Sequence, residues 1–114
     1  MKSYEDLRAW QHAEAIALEV FRWADGHWSP QRASALEQLR RASLSVALNI
    51  AEGFDCGPGP RCRFHLRVAY GSAVETTALL RFLTRLGDDL GDLAQRSEAT
   101  RALTYRLWQN SRRS

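Results

Sequence analysis

Lysine is nearly missing from this chain: a single Lys stands beside fifteen Arg in 114 residues. Proline (three), cysteine (two) and methionine (one) are also scarce, and no apolar run is longer than the tetrad Ala15-Ile16-Ala17-Leu18. Each shortage excludes something. A membrane-spanning helix needs about 18 or more apolar residues, so no span is expected. The opening Met1-Lys2-Ser3-Tyr4-Glu5-Asp6 has no apolar segment of the kind a signal peptide carries, which makes the cytoplasm the expected location. In that compartment two thiols are expected to stay reduced. What remains, 45% hydrophobic and 25% charged residues, is the balance of an ordinary folded protein, and the length suits one core. A single domain over residues 1–114 follows.

The net charge of +3 is unevenly spread. Residues 1–57 hold six basic and eight acidic side chains, whereas residues 58–114 hold ten basic and five acidic. A basic half attracts phosphate. Solvated helix faces in a chain that uses Arg in place of Lys give the same pattern, and +3 is weak for a dedicated nucleic-acid binder.

Hydrophobic periodicity divides the chain into four helices, at about 4–25, 30–54, 61–86 and 89–110. Ser3 is placed to cap the first, and Leu7, Trp10, Ala13, Ala17, Val20, Phe21 and Ala24 share one side of it. It should end near Asp25-Gly26, with Ser29-Pro30 restarting the chain as a cap and first-turn proline. Leu36, Leu39, Ala42, Ser43, Val46 and Ile50 mark the second helix, where Gly53 either ends it or permits a close contact. Gly57-Pro58-Gly59-Pro60 is a loop, and Gly87 stops the third helix. Asp88 or Asp89 can cap the fourth, whose apolar pattern is diluted by Ser97, Thr100 and Thr104. Short connections make consecutive helices antiparallel, so the expected fold is all-α, an up-down-up-down four-helix bundle.

There is more apolar surface than one bundle needs. On the third helix Phe64, Val68, Gly71, Ala78 and Phe82 form one side, and Leu66, Ala69, Tyr70, Ala73 and Leu80 nearly the opposite one. Ala9, Ile16 and Trp23 repeat every seven residues, and Leu44 and Leu48 lie off the core stripe of the second helix. Self-association would bury this surplus, with Ile16, Trp23, Leu44, Leu48, Leu66 and Tyr70 as interface residues.

Chemistry-bearing patterns are few. Cys56, Cys62 and His65 form C-x5-C-x2-H, short of the four ligands a structural zinc wants even with Asp55 nearby. There is no P-loop, no G-x-S-x-G, no dinucleotide fingerprint, and no Glu-x-x-His pair of the di-iron type. Catalysis, a metal and a cofactor are therefore not expected; an enzyme would need a polar pocket around Glu75 or His65. Glu75 falls within an apolar stripe beside Gly71, and Asn49 borders the core, which points to a polar network fixing helix register. Arg63, Arg67, Arg81 and Arg85 share one side of the third helix. With Trp23, Trp28 or Trp108 they can hold RNA or DNA by phosphate contact and stacking, or they can form solvated or intersubunit salt bridges.

The strings Tyr4-x-Asp6-Leu7-x-x-Trp10-x-x-Ala13, Leu39-Arg40-Arg41-Ala42, Ser45-Val46-Ala47-Leu48-Asn49-Ile50-Ala51-Glu52-Gly53, Leu66-x-x-Ala69-x-Gly71-Ser72-x-x-Glu75 and Leu83-x-x-Leu86-Gly87 resemble the bacterial four-helix-bundle proteins of the 23S rRNA intervening-sequence type. The resemblance implies an antiparallel four-helix bundle, a ring-like homopentamer and no catalytic residues. Some such proteins are encoded inside inserts of 23S rRNA genes, and the related retroelement accessory proteins bind nucleic acid and a reverse transcriptase. Asn49, Glu52, Gly53, Gly71, Ser72 and Glu75 carry over as motif positions of structural type. Ala47 departs from the proline usual in the family. Phe54-Asp55-Cys56-Gly57-Pro58-Gly59-Pro60 replaces a stretch commonly rich in Lys, Arg and Ser, which removes a phosphate contact.

Two readings follow. One is a non-enzymatic homo-oligomeric scaffold or binding module whose arginine-rich faces contact RNA, DNA or a nucleoprotein. The other is a structural or protein-interaction assembly in which the same arginines pair with carboxylates and no nucleic acid binds.

Overall fold

In the computed structural model, which describes residues 3–113, the chain is all helical: α1 (Arg8–His27), α2 (Ala33–Cys56), α3 (Pro60–Arg85) and α4 (Gly91–Ser111), with no strand among the described residues. Met1, Lys2 and Ser114, the last residue of the arginine-ended tail, lie outside them. The packed helices measure 44 × 20 × 20 Å. Among the described residues no helix is long and apolar enough to cross a membrane.

The element boundaries differ from expectation where side chains intervene. Ser3 caps only a single 3-10 turn, Tyr4–Asp6, accepting from Glu5 N–H at 2.9 Å while Asp6 accepts from Ser3 N–H at 3.3 Å. Leu7 then turns extended (φ −76°, ψ 127°), which lets its side chain reach the core before α1 begins at Arg8. Helix α1 runs through Asp25-Gly26 to His27, because His27 Nδ1–H donates to the Trp23 carbonyl (2.8 Å) and its ring stacks on Trp23 at 4.1 Å. Ser29 and Pro30 form a turn closed by Arg32 N–H on Ser29 O (3.0 Å), and α2 starts at Ala33. Gly87, at φ 107°, ends α3 as expected, with Gly87 N–H on Thr84 O and Asp88 N–H on Leu83 O. Asp88 does not cap α4, whose N-cap is Leu90 with no side-chain bond. Its carboxylate pairs instead with Arg32 at 2.8 Å, tying the α3–α4 loop to the α1–α2 loop.

The core has two halves. One holds Ile16, Val20, Leu36, Leu39, Leu80 and Leu83 with Leu90 and Leu93 of the last loop and helix; the other holds Ala13, Val46, Ile50, Leu66, Ala69 and Ala73. Two residues assigned to a subunit interface are thus core: Ile16 is 4% and Leu66 7% exposed. The cause for Leu66 is the two-sidedness of α3. The face bearing the small residues Ala69 and Ala73 permits the closer helix approach, and Leu66 shares it. For Ile16, the buried stripe of α1 (Ala9, Ala13, Ile16, Ala17, Val20, Ala24) is rotated from the expected one, leaving Trp10 and Phe21 half-buried at its edge. Trp23 is half-buried against the first core half. Helix α4 packs through Ser97, Thr100 and Thr104, which are buried; Ser97 bonds Thr77 at 2.7 Å, and Thr104 returns its hydroxyl to Thr100 O at 3.0 Å.

Gly53 is buried within α2, which continues to Cys56. A Cβ there would lie 3.3 Å from Leu66 Cδ2 and 3.4 Å from His65 Cβ, so the glycine permits the close approach of α2 and α3. Gly53→Ile is expected to lower unfolding free energy by about 1–3 kcal/mol through overpacking, offset by about 0.5 kcal/mol of helix propensity. Urea unfolding checks this, and an unchanged midpoint would contradict it.

Candidate functional site

The motif residues of α2 and α3 meet along one polar seam. Ser45, Asn49 and Glu52 follow one another at spacings of four and three, which places them on one side of α2; His65 and Ser72, seven apart, face them from α3. Asn49 Nδ2 donates to Ser45 O (2.9 Å) and Ser45 Oγ (3.1 Å), and Ser45 Oγ lies 2.8 Å from Ser72 Oγ. His65 Nδ1 is 3.0 Å from Asn49 Oδ1 and 3.2 Å from Glu52 Oε2. The side chains of His65 and Glu52 are 18% and 61% exposed, so the seam runs from inside the helix pair out to solvent. At its other end it opens into a shallow groove lined by Gln38, Arg41, Ser45, Ser72 and Glu75.

Glu75, expected within a buried apolar stripe, is exposed. The stripe itself is the outward side of α3: Phe64 is 63% and Phe82 53% exposed, with Ala78 and Leu86 also in solvent. A polar network is present on Asn49 and Ser72, but Glu75, expected to share it with Asn49, makes none of its hydrogen bonds. His65 and Ser45 complete it, and periodicity alone gives no signal for His65. Leu44 and Leu48 are exposed on α2, at 42% and 51%.

The four arginines divide into two pairs. Arg67 and Arg81 are 14 residues apart, about 21 Å along a helix. At the first end Arg67 lies over the Trp108 ring, 5.1 Å from its centroid. Gly71 gives it room, since a Cβ there would meet Arg67 Nη1 at 3.3 Å. Arg112 approaches the same ring at 5.5 Å, Tyr70 stacks on it at 5.7 Å, and Tyr105 adds an edge contact. Tyr70 therefore belongs to an aromatic cluster between α3 and α4. Arg63 is half-buried beside this cluster. At the second end Arg81 pairs with Glu98 at 3.5 Å, and Arg101 holds the same carboxylate at 3.2 Å. The hydrogen bond from Arg101 keeps the Glu98 carboxyl below its ordinary range. Arg85 lines a cleft with Arg81, Thr84 and Gly91.

Cys56 and Cys62 are free thiols, and burial pushes the Cys62 thiol up, aided by the neighbouring Cys56. Cys62 faces an apolar cavity walled by Leu7, Ile50, Phe54, Leu66 and Leu107. Among the described residues no group of three His, Cys, Asp or Glu is placed to hold a metal.

The seam predicts a measurable coupling. In a double-mutant cycle of Asn49→Ala and His65→Ala followed by urea unfolding, the interaction energy is expected at about 0.5–1.5 kcal/mol. Strict additivity would contradict the Asn49–His65 bond.

The 23S rRNA-intervening sequence protein family model matches residues 5–88, which takes in the end of the 3-10 turn, α1, α2, α3 and the Gly87 stop. No curated protein and no solved structure gives a match. The matched segment contains the whole polar seam and the close approach at Gly53, and it covers most of the chain. On that match the chain belongs to the 23S rRNA-intervening sequence protein family.

Proposed function

We propose that this family member is a non-enzymatic, self-associating scaffold that works in the cytoplasm and presents arginines to RNA or DNA. The observation that carries the reading is the outward side of α3, which the chain's own core leaves unused. It bears exposed Phe82 and Leu86 in its second half, and Arg63, Arg67 and Arg85 have no carboxylate partner among the described ion pairs.

In this reading the helices run antiparallel to their neighbours in an up-down-up-down bundle. The cross-helix pairs Ser45–Ser72 and Asn49–His65 support that order, since rising positions on α2 meet falling positions on α3. Leu44 and Leu48 on α2 and Phe82 with Leu86 on α3 are two different apolar faces of one chain. A two-fold dimer uses one face against itself, whereas two unlike faces joined head to tail make a ring when the rotation between copies closes. A homopentamer is the ring that the family resemblance implies.

The structural alternative draws on a specific observation at one end of α3: Arg81 and Arg101 share Glu98 within the chain. That pairing makes Arg81 the weakest of the four arginines for phosphate and leaves the other three to bind it.

Two outcomes are expected. Leu44→Arg with Leu48→Arg in one variant, and Phe82→Arg in another, should each abolish assembly in light scattering, and an equimolar mixture should form dimers and nothing larger because one intact pair of faces remains. A mixture that stays monomeric would contradict the head-to-tail arrangement. Replacing Arg63, Arg67, Arg81 and Arg85 with Gln should weaken RNA binding and flatten its salt dependence, by about 0.7 in slope for each single-strand phosphate that is no longer neutralised. Unchanged binding in that variant would remove α3 as the binding surface.

A further inference from the structure

The arginines of this chain differ in what already occupies them. Arg32, Arg40, Arg81, Arg96 and Arg101 each hold a carboxylate. Arg63, Arg67 and Arg112 hold none among the described ion pairs, yet they converge on one place, where the start of α3 meets the end of α4. There an open groove is lined by Pro60, Arg63, Phe64, Trp108 and Arg112. Arg67 and Arg112 are positioned against the Trp108 ring, at 5.1 and 5.5 Å, and the polar partner of Arg112 is the neutral Gln109 at 3.4 Å. Aromatic contact fixes these guanidinium groups while leaving their charge uncompensated, which lowers the entropy cost of binding an anion.

Beside the charge lies a ring. Phe64 is 63% exposed, and its aromatic contact is an edge contact with His65 at 5.4 Å and 73°, so a face of the ring is available. Uncompensated guanidinium groups next to an open aromatic face match the two parts of a nucleotide, a phosphate and a base. A base within a duplex is stacked on its neighbours and cannot offer its face to Phe64, whereas an unpaired base can.

We propose that this groove binds single-stranded nucleic acid, with Arg63 and Arg112 holding a phosphate, Arg67 at the rim, and an unpaired base laid on Phe64. The assignment rests on the proposed reading that the chain binds nucleic acid, and it narrows that reading to one end of α3 and to unpaired strands. It also brings in Arg112 of α4, away from Arg81 and Arg85.

The test uses the full chain and fluorescence anisotropy with labelled oligouridylate, oligothymidylate and a duplex of equal length, across a salt series. The wild-type chain should bind both single strands more tightly than the duplex. Phe64→Ala should weaken single-strand binding by about tenfold with little change in salt slope, and Phe64→Trp should restore it. Arg63→Gln with Arg112→Gln should lower the slope by about 0.7, the value for the one phosphate left unneutralised. If the wild type binds nucleic acid but Phe64→Ala is silent, or the duplex is preferred, or polyglutamate competes equally, the groove assignment fails while the broader reading stands. If the wild type binds no nucleic acid at low salt, both fail.

Discussion

The close approach of α2 and α3 at Gly53 is the constraint on which the rest of the structure depends. It brings the second helix against Leu66 and His65, and it sets the register in which Asn49 meets His65 and Ser45 meets Ser72. A half-buried amide or hydroxyl is costly when unpaired, so a register slip would strand several polar groups at once. The seam thus specifies one alignment, whereas the apolar packing on either side of it is less discriminating. The same register turns the opposite side of α3 outward, which is why Phe64, Phe82 and the unpaired arginines face solvent.

That outward side explains why α3 has two faces in the first place. Leu66, Ala69, Ala73, Leu80 and Leu83 are sufficient to fill the core with the help of Thr76 and Thr77, whose hydroxyls return to Ser72 and Ala73 carbonyls. Nothing in the fold of a single chain calls for Phe82, Leu44 or Leu48. In the proposed assembly these residues meet across copies, and the arginine groove at the far end of α3 stays open. Phe64 and Phe82 are 18 residues apart, about 27 Å along the helix, so assembly and ligand binding can use the same helix without competing.

Much of this is legible in the sequence, for identifiable reasons. Gly87 and the Gly57–Pro60 run mark stops because backbone geometry there is local. Leu36, Leu39, Val46 and Ile50 mark the buried side of α2 because bulky apolar residues recur at one helical period. The motif strings single out Asn49 and Ser72 as structural positions and point to the family that the match over residues 5–88 shows. What is not legible depends on comparing surfaces. With apolar residues on both sides of α3, periodicity cannot tell core from exterior, so it puts Glu75 inside and Leu66 outside. Ser97, Thr100 and Thr104 mask the buried side of α4, since their small polar side chains read as exterior although Thr104 enters the core by bonding its own helix and Ser97 by bonding Thr77 of α3. The sequence offers Arg63 and Arg67 with Trp108 as a phosphate-and-stacking surface, but not the groove itself, because Arg63 and Arg112 are far apart in the chain and meet only when α3 and α4 pack.

In the function proposed above, the outward apolar faces of α2 and α3 serve assembly. Native mass spectrometry of the purified, nuclease-treated chain over a range of concentrations tests it most directly. A single closed multimer of fixed copy number, five if the ring follows the family resemblance, is expected. A monomer that persists at every concentration would contradict it.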